Sequence, residues 1–168
     1  MNFVPKKLKS YQLQANKGFT LIEILLVVAA IAILAGIVIL AVNPGKQLGD
    51  TRNAQRRMDV RTMLEAVHQY AVDHNGGVPG GIDSVIASAQ MFGTSGGGCD
   101  SICTASTTVA ACLDLAPSLV PTYIVGIPRD PSTGSSTSTD YFINKDGAGR
   151  ITVGACDPEQ NAAISVTR

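Results

Sequence analysis

Apolar positions run from Leu21 to Val42 with one interruption, the carboxylate of Glu23. The run is rich in Ile, Leu, Val and Ala on every side, which signifies a membrane or buried helix rather than an amphipathic surface one. From Phe19 to Val42 it is 24 residues long, roughly 36 Å as a helix and enough to cross a bilayer. Gly36 weakens it, and Asn43-Pro44-Gly45 interrupts it: Pro44 lacks a backbone donor and favours an extended Asn43, so a kink or break is expected. From Lys46 to about His74 the pattern turns amphipathic. Val60, Leu64, Val67 and Ala71 recur at three- and four-residue steps, and Met63 and Tyr70 widen the stripe. Arg61 and Glu65 form an i,i+4 pair on the wet side, and Asn75-Gly76-Gly77 is a stop. The periodicity predicts a long helical spine, interrupted near Pro44, whose second half packs on a small head.

The head is rich in Gly, Ser and Thr, so its elements are short. Asp83–Phe92 is expected to be a brief helix with Asp83 or Ser84 near its N-cap, and Gly93–Gly98 a flexible loop. Another short helix is expected within Ala110–Val120, ended by Pro121. Ile127 to Pro131 is an irregular turn and Ser132–Thr139 a low-complexity loop. Tyr141–Asn144 and Arg150–Ala155 alternate as two strands joined through Lys145-Asp146-Gly147-Ala148-Gly149, a hairpin signal, and Ile164–Thr167 is a candidate third strand. The fold class is therefore α+β: a helical spine on a small antiparallel sheet.

Glu23 changes this picture. At the centre of a membrane helix an acidic residue costs about 2.5–3.5 kcal/mol, less near the interface, so an intramembrane carboxylate is a functional hypothesis by default. The run contains no Lys, Arg or His to match it. A cut between Gly18 and Phe19 would create an α-amine four residues from Glu23, on this subunit or a neighbour. Before the run lie Lys6, Lys7, Lys9 and Lys17, a cytoplasmic flank under the positive-inside rule. A secretory signal has an apolar core of about 7–15 residues and is cut after it; this run is too long. A plain signal anchor explains neither Glu23 nor the Gly-Phe junction.

Gly18-Phe19-Thr20-Leu21-Ile22-Glu23 and the aliphatic tract from Ile24 to Gly36 resemble the N-terminus of type IV pilins and type II secretion pseudopilins. The resemblance implies that a prepilin peptidase cuts after Gly18 and that Phe19 is N-methylated. The apolar helix then builds a filament core, with Phe19, Thr20 and Glu23 in assembly. It implies a leader over residues 1–18, a filament-core helix over 19–43, an amphipathic half of the spine over 44–75 and a globular head over 76–168. Leu119-Val120-Pro121-Thr122-Tyr123-Ile124 through Asp130-Pro131 is also similar to the post-helix region of pseudopilins and short pilins, which leads into an antiparallel sheet. The partners implied are the chain itself as a homopolymer, the peptidase, an inner-membrane assembly platform and minor pilins. The place implied is a single-pass membrane precursor and then a surface filament.

Charge and composition narrow the alternatives. The chain has 168 residues, and without an 18-residue leader nine basic residues face thirteen acidic ones, a formal charge of −4. That disfavours general nucleic-acid binding, which depends on Lys and Arg neutralising phosphates. Arg52, Arg56, Arg57 and Arg61, interleaved with Asp50 and Asp59, form a basic patch that reads first as a solvated face with local ion pairs. Pairing with acidic residues of the next head is the sharper alternative. DNA binding comes third, because no aromatics are interleaved to stack on bases.

Cys99, Cys103, Cys112 and Cys156 are an even set in the exported part, as expected of a disulfide framework in an oxidising space. Four Cys allow three connectivities; Cys99–Cys103 with Cys112–Cys156 is favoured here, the second clamping the helix before Leu113 to the strand ending near Cys156. Their spacing does not match paired C-x2-C zinc knuckles. His68 and His74 are six apart, not at a metal-binding step, and are expected at the surface or in packing. Asn144 and Asp146-Gly147 resemble part of a calcium loop, but the full pattern is absent and a plain hairpin turn is expected. No catalytic, cofactor-binding or metal-binding residues emerge. The function expected is a structural subunit polymerised for adhesion, motility, DNA uptake or secretion. The alternatives are a type II secretion pseudopilin and a membrane-anchored binding module that does not polymerise.

Overall fold

The computed structural model describes residues 18–168; most of the expected leader, with its lysines at positions 6, 7, 9 and 17, lies outside the described residues. The chain divides between Asn43 and Pro44 into two units.

The described part of the first unit is helix α1, Leu21–Ala41. Thr20 is its N-cap: the Thr20 hydroxyl accepts from the Glu23 N–H at 3.3 Å, satisfying one of the donors a helix start leaves open. Every side chain along α1 is exposed. At 21 residues and a mean hydropathy of 3.3 the helix is long and apolar enough to cross a membrane. It ends at Val42, whose N–H closes on the Val38 carbonyl.

The second unit begins with helix α2, Pro44–Asp73. Pro44 sits in the first turn, where its missing N–H has no helical partner to lose. The interruption expected near Pro44 therefore falls just before it, at Val42 and Asn43. Helix α2 ends where Asn75 and Gly76 turn left-handed (φ 53° and 88°) and the Gly76 N–H returns to the Ala71 carbonyl at 2.7 Å, a C-terminal stop of the left-handed type.

Four strands, β1 Gln90–Met91, β2 Tyr141–Lys145, β3 Ile151–Ala155 and β4 Ser165–Thr167, form one antiparallel sheet in sequence order. Val60, Met63, Leu64 and Val67 of α2 are buried with Tyr141, Ile143, Ile151, Val153 and Ala155. This is the stripe the three- and four-residue spacing predicts. Alternate residues serve the other face, where Phe142 and Met91 pack with Cys99 and Cys156. Both faces of the sheet are thus covered, one by a helix and one by the disulfide-stapled loops. Gly154 pairs with Phe142 across the strands, and a Cβ there would run into the Phe142 ring, so the pair works only with glycine.

Local expectations for the head need two corrections. The 83–92 segment is not a helix: it is turn followed by β1, because Ala89 and Phe92 bridge to Thr108 and Leu113 and Gln90 and Met91 pair with β2. Tertiary pairing overrides weak local propensity. The helix expected within 110–120 shrinks to α3, Ala116–Leu119. Pro117 lies in its first turn and the cis Val120–Pro121 peptide follows it.

The disulfide pairing is also corrected: Cys99 bonds Cys112 and Cys103 bonds Cys156, with Cα separations of 5.6 and 4.5 Å. The loop after β1 folds back so that the Cys99 N–H donates to Ala110 at 3.0 Å, while Ala105 N–H donates to the Cys156 carbonyl at 2.9 Å. Each Cys is thereby delivered to the partner the other pairing denies it. The bridges close 13 and 53 residues; on the chain-entropy account they stabilise by about 3 and about 4 kcal/mol. Replacing Cys103 and Cys156 by Ser should lower the urea midpoint more than replacing Cys99 and Cys112. Non-reducing peptide mapping should return these two pairs; a Cys99–Cys103 peptide would contradict them.

Candidate functional site

Two places carry the residues singled out in the sequence. The first is the start of α1. Gly18 and Phe19 precede the helix in an exposed, non-helical stretch, with Phe19 79 % exposed. Glu23 lies in the first turn of α1, one turn beyond the cap residue. A carboxylate at a helix N-terminus is favoured by the partial positive charge of the unpaired N–H groups. The junction is therefore exposed and non-helical, and the acid stands close to it in the first turn of the helix that follows.

The second is the arginine stretch of α2. Only Arg57 and Arg61 are exposed. Arg61 and Glu65 form no salt bridge among the described residues. Arg56, expected on a solvated face, is completely buried. It donates through Nε and Nη2 to the two Asp130 carboxylate oxygens at 2.5 and 2.9 Å, and through Nη1 to Asn53 and Glu159 at 2.9 and 3.1 Å. Arg52 donates to both oxygens of the Glu159 carboxylate. Asn53 and Glu159 exchange two further bonds between side chain and backbone, at 2.8 and 3.0 Å. One turn on, the Tyr141 hydroxyl donates to Asp59 at 2.7 Å.

Gly49, Asn53, Arg56, Asp59, Val60, Met63 and Val67 are all buried, at the three- and four-residue steps of one helix face. The apolar stripe thus continues towards the N-terminus as a polar one. Its partners come from the 128–133 turn and the 157–160 segment. The signal that marks Arg56 as buried is its register, four and seven residues before Val60 and Met63.

The electrostatics match this geometry. Burial alone would push Asp130 up, but the Arg56 guanidinium and donors from Ser132 and Thr133 outweigh it and hold the carboxyl down to about 2. The bond from Arg52, then Arg56, lowers Glu159 to about 2. Arg56 is raised, foremost by Asp130, against the cost of its burial. Burial, then the bond to Asp59, pushes Tyr141 up. This cluster ties three segments to α2: Arg52 and Arg56 are matched by Glu159 and Asp130, and Asp59 accepts from the neutral Gln55 and Tyr141 side chains.

His74 is exposed, stacks on Tyr70 with ring centroids 3.8 Å apart, and bonds the Tyr70 carbonyl. His68 is half-buried, its Nε2 without a partner. It lines an open groove of about 560 Å³ with Glu65, Asp73, Tyr123 and Arg168, and among the described residues no carboxylate forms a salt bridge with it. Asp146 accepts from the Ala148 and Arg150 N–H groups and from Arg150 Nε at 2.6 Å, so its oxygens organise the hairpin turn. Among the described residues no three His, Cys, Asp or Glu side chains converge as a metal site.

No curated protein and no solved structure shows significant similarity to the chain. One family description matches, the prokaryotic N-terminal methylation motif, over residues 13–39, which takes in the Gly18-Phe19 junction, Glu23 and most of α1. The chain thus carries at its N-terminus the methylation motif characteristic of type IV pilins and pseudopilins.

Proposed function

We propose that the chain is a prepilin, cut between Gly18 and Phe19 by a prepilin peptidase, N-methylated on Phe19 and polymerised into a surface filament of the type IV pilus kind. The observation that carries this is the coincidence, in one matched segment, of an exposed Gly-Phe junction, a capped apolar helix and one carboxylate in its first turn. An apolar helix exposed on all sides needs either lipid or copies of itself around it. A filament core supplies the second, and the Phe19 amine of a neighbouring subunit supplies the charge that Glu23 lacks. The helix anchors the precursor in the inner membrane before an assembly platform adds it to the polymer. A chain length near that of ordinary pilins and a disulfide-stapled head favour a pilus subunit over a secretion pseudopilin. Adhesion, motility or DNA uptake then depends on the head surface. The arginines of α2 add little to DNA binding, since Arg52 and Arg56 are engaged within the chain.

N-terminal mass spectrometry of sheared surface material reports cleavage, methylation and polymerisation together. The expected mature chain starts at Phe19 with one added methyl group. Gly18→Val should leave an uncut membrane precursor and no sheared filaments. A native N-terminus elsewhere, or normal processing of Gly18→Val, would overturn the assignment. A chain that stays in the membrane and is never sheared off points to the anchored binding module.

A further inference from the structure

The Asp140 carboxylate stands apart from the matched charges of α2. Asp140 immediately precedes β2 in a left-handed conformation (φ 66°) and is 2 % exposed. Its carbonyl accepts from the Cys156 N–H at 2.9 Å. Its Oδ2 accepts from the Thr133 hydroxyl, and its Oδ1 is buried with no hydrogen-bond partner. Across the β2–β3 pairing, Asp157 follows Cys156; its Oδ1 accepts from the Thr104 hydroxyl at 2.6 Å, and its carboxyl lies within hydrogen-bonding reach of Asp140. The charged groups that act most strongly on Asp140 are Asp157 and Asp130, and Asp130 is already matched by Arg56. Among the described residues no salt bridge reaches Asp140. Two carboxylates this close, one of them dry on one side, are strongly unfavourable when both are charged.

We propose that Asp140 holds a proton on its unpartnered oxygen and donates it to Asp157, and that this proton latches the segment after Cys156 to the Thr133 loop, so that the head loosens there as the surrounding pH rises. Held there, the proton gives the empty side of Asp140 its missing partner and removes one of two like charges. Burial first, then Asp157 in opposition to the Thr133 bond, raises Asp140 to about 6. A carboxyl raised on folding contributes stability that is full below its unfolded value near 4 and is lost as pH rises through about 6. The acid-strengthened latch joins the 130–140 turn to the Cys103–Cys156 staple, a region that no part of the filament reading uses.

Thermal unfolding of the full chain in detergent at pH 4.5 and pH 7.5 tests this. Wild type should melt lower at pH 7.5 by on the order of 5 °C. Asp140→Asn suits the test, because Asn tolerates the left-handed backbone and its amide donates to Asp157 without titrating. D140N should lose that pH slope and melt above wild type at pH 7.5. Asp157→Asn should also flatten the slope, and the Asp140 carboxyl carbon should titrate near pH 6 by NMR, a readout independent of how well either variant folds. A D140N slope as steep as wild type, or an Asp140 midpoint near 4, would overturn the proposal. Millimolar calcium that raises the melting point of wild type but not of D140N at pH 7.5 would also overturn it, assigning the pair to a cation instead of a proton.

Discussion

Arg56→Ala is expected to destabilise the head by about 3–5 kcal/mol, the cost of leaving a buried carboxylate without its partner. Both side chains of the Arg56–Asp130 pair are completely buried. Removing the guanidinium strips Asp130 of its two charge-assisted bonds and Asn53 and Glu159 of one each. Arg56→Lys should recover part of the loss, since an ammonium keeps the charge but not the two-pronged geometry. Replacing Arg56 and Asp130 together by apolar residues of similar volume should cost less than Arg56→Ala alone, because no charge is then left stranded. Urea unfolding of the full chain in detergent measures all three. A loss under about 1 kcal/mol for Arg56→Ala would mean that the pair behaves as an exposed one.

The same variant alters the acid limb. A carboxylate depressed on folding contributes stability that is full above its unfolded value near 4 and is lost as pH falls through its folded value, here about 2 for Asp130. Wild type should weaken steeply below pH 4, and Arg56→Ala should flatten that limb. Asp140 acts in the opposite sense. The head is therefore expected to be most stable near pH 4, with Asp130 limiting it on the acid side and Asp140 above.

Glu23→Ala is expected to abolish filaments while leaving the protein in the membrane at normal or higher level. Removing the carboxylate removes its cost of entering lipid and removes the partner proposed for the neighbour's Phe19 amine. Cleavage after Gly18 should persist, since the cut lies upstream; methylation should fall. Co-expression with wild type should restore mixed polymers in part. Shearing followed by immunodetection, with the membrane fraction as control, reads both effects. If Glu23→Ala assembles as readily as wild type, the carboxylate has no part in assembly and the anchored module becomes the better description.

Elements set by neighbours in the chain were legible before any coordinates. The apolar stretch of α1 is a local property, and so is the stripe of Val60, Leu64 and Val67 that became the core face of α2. Of the link from Lys145 to Gly149, Lys145 closed β2 and Asp146 to Gly149 became the β2–β3 turn. Segment 83–92 failed because its few apolar residues suit either period, and two bridges to the 108–113 segment decided for extended chain.

By itself the sequence determined the two helices, the break before Pro44, the hairpin and the motif at Gly18 to Glu23, because each depends on contacts a few residues away. The tertiary structure alone decided the disulfide pairs, the partners that let Arg56 be buried and the isolation of Asp140. Arg56 reads as a surface cation until Asp130 and Glu159, 74 and 103 residues away, are brought to it. Cys103 likewise finds Cys156 only once 53 residues have folded between them. A periodic pattern states which face of an element turns inward, but whether a charge can live there depends on the partner that the rest of the chain brings to meet it.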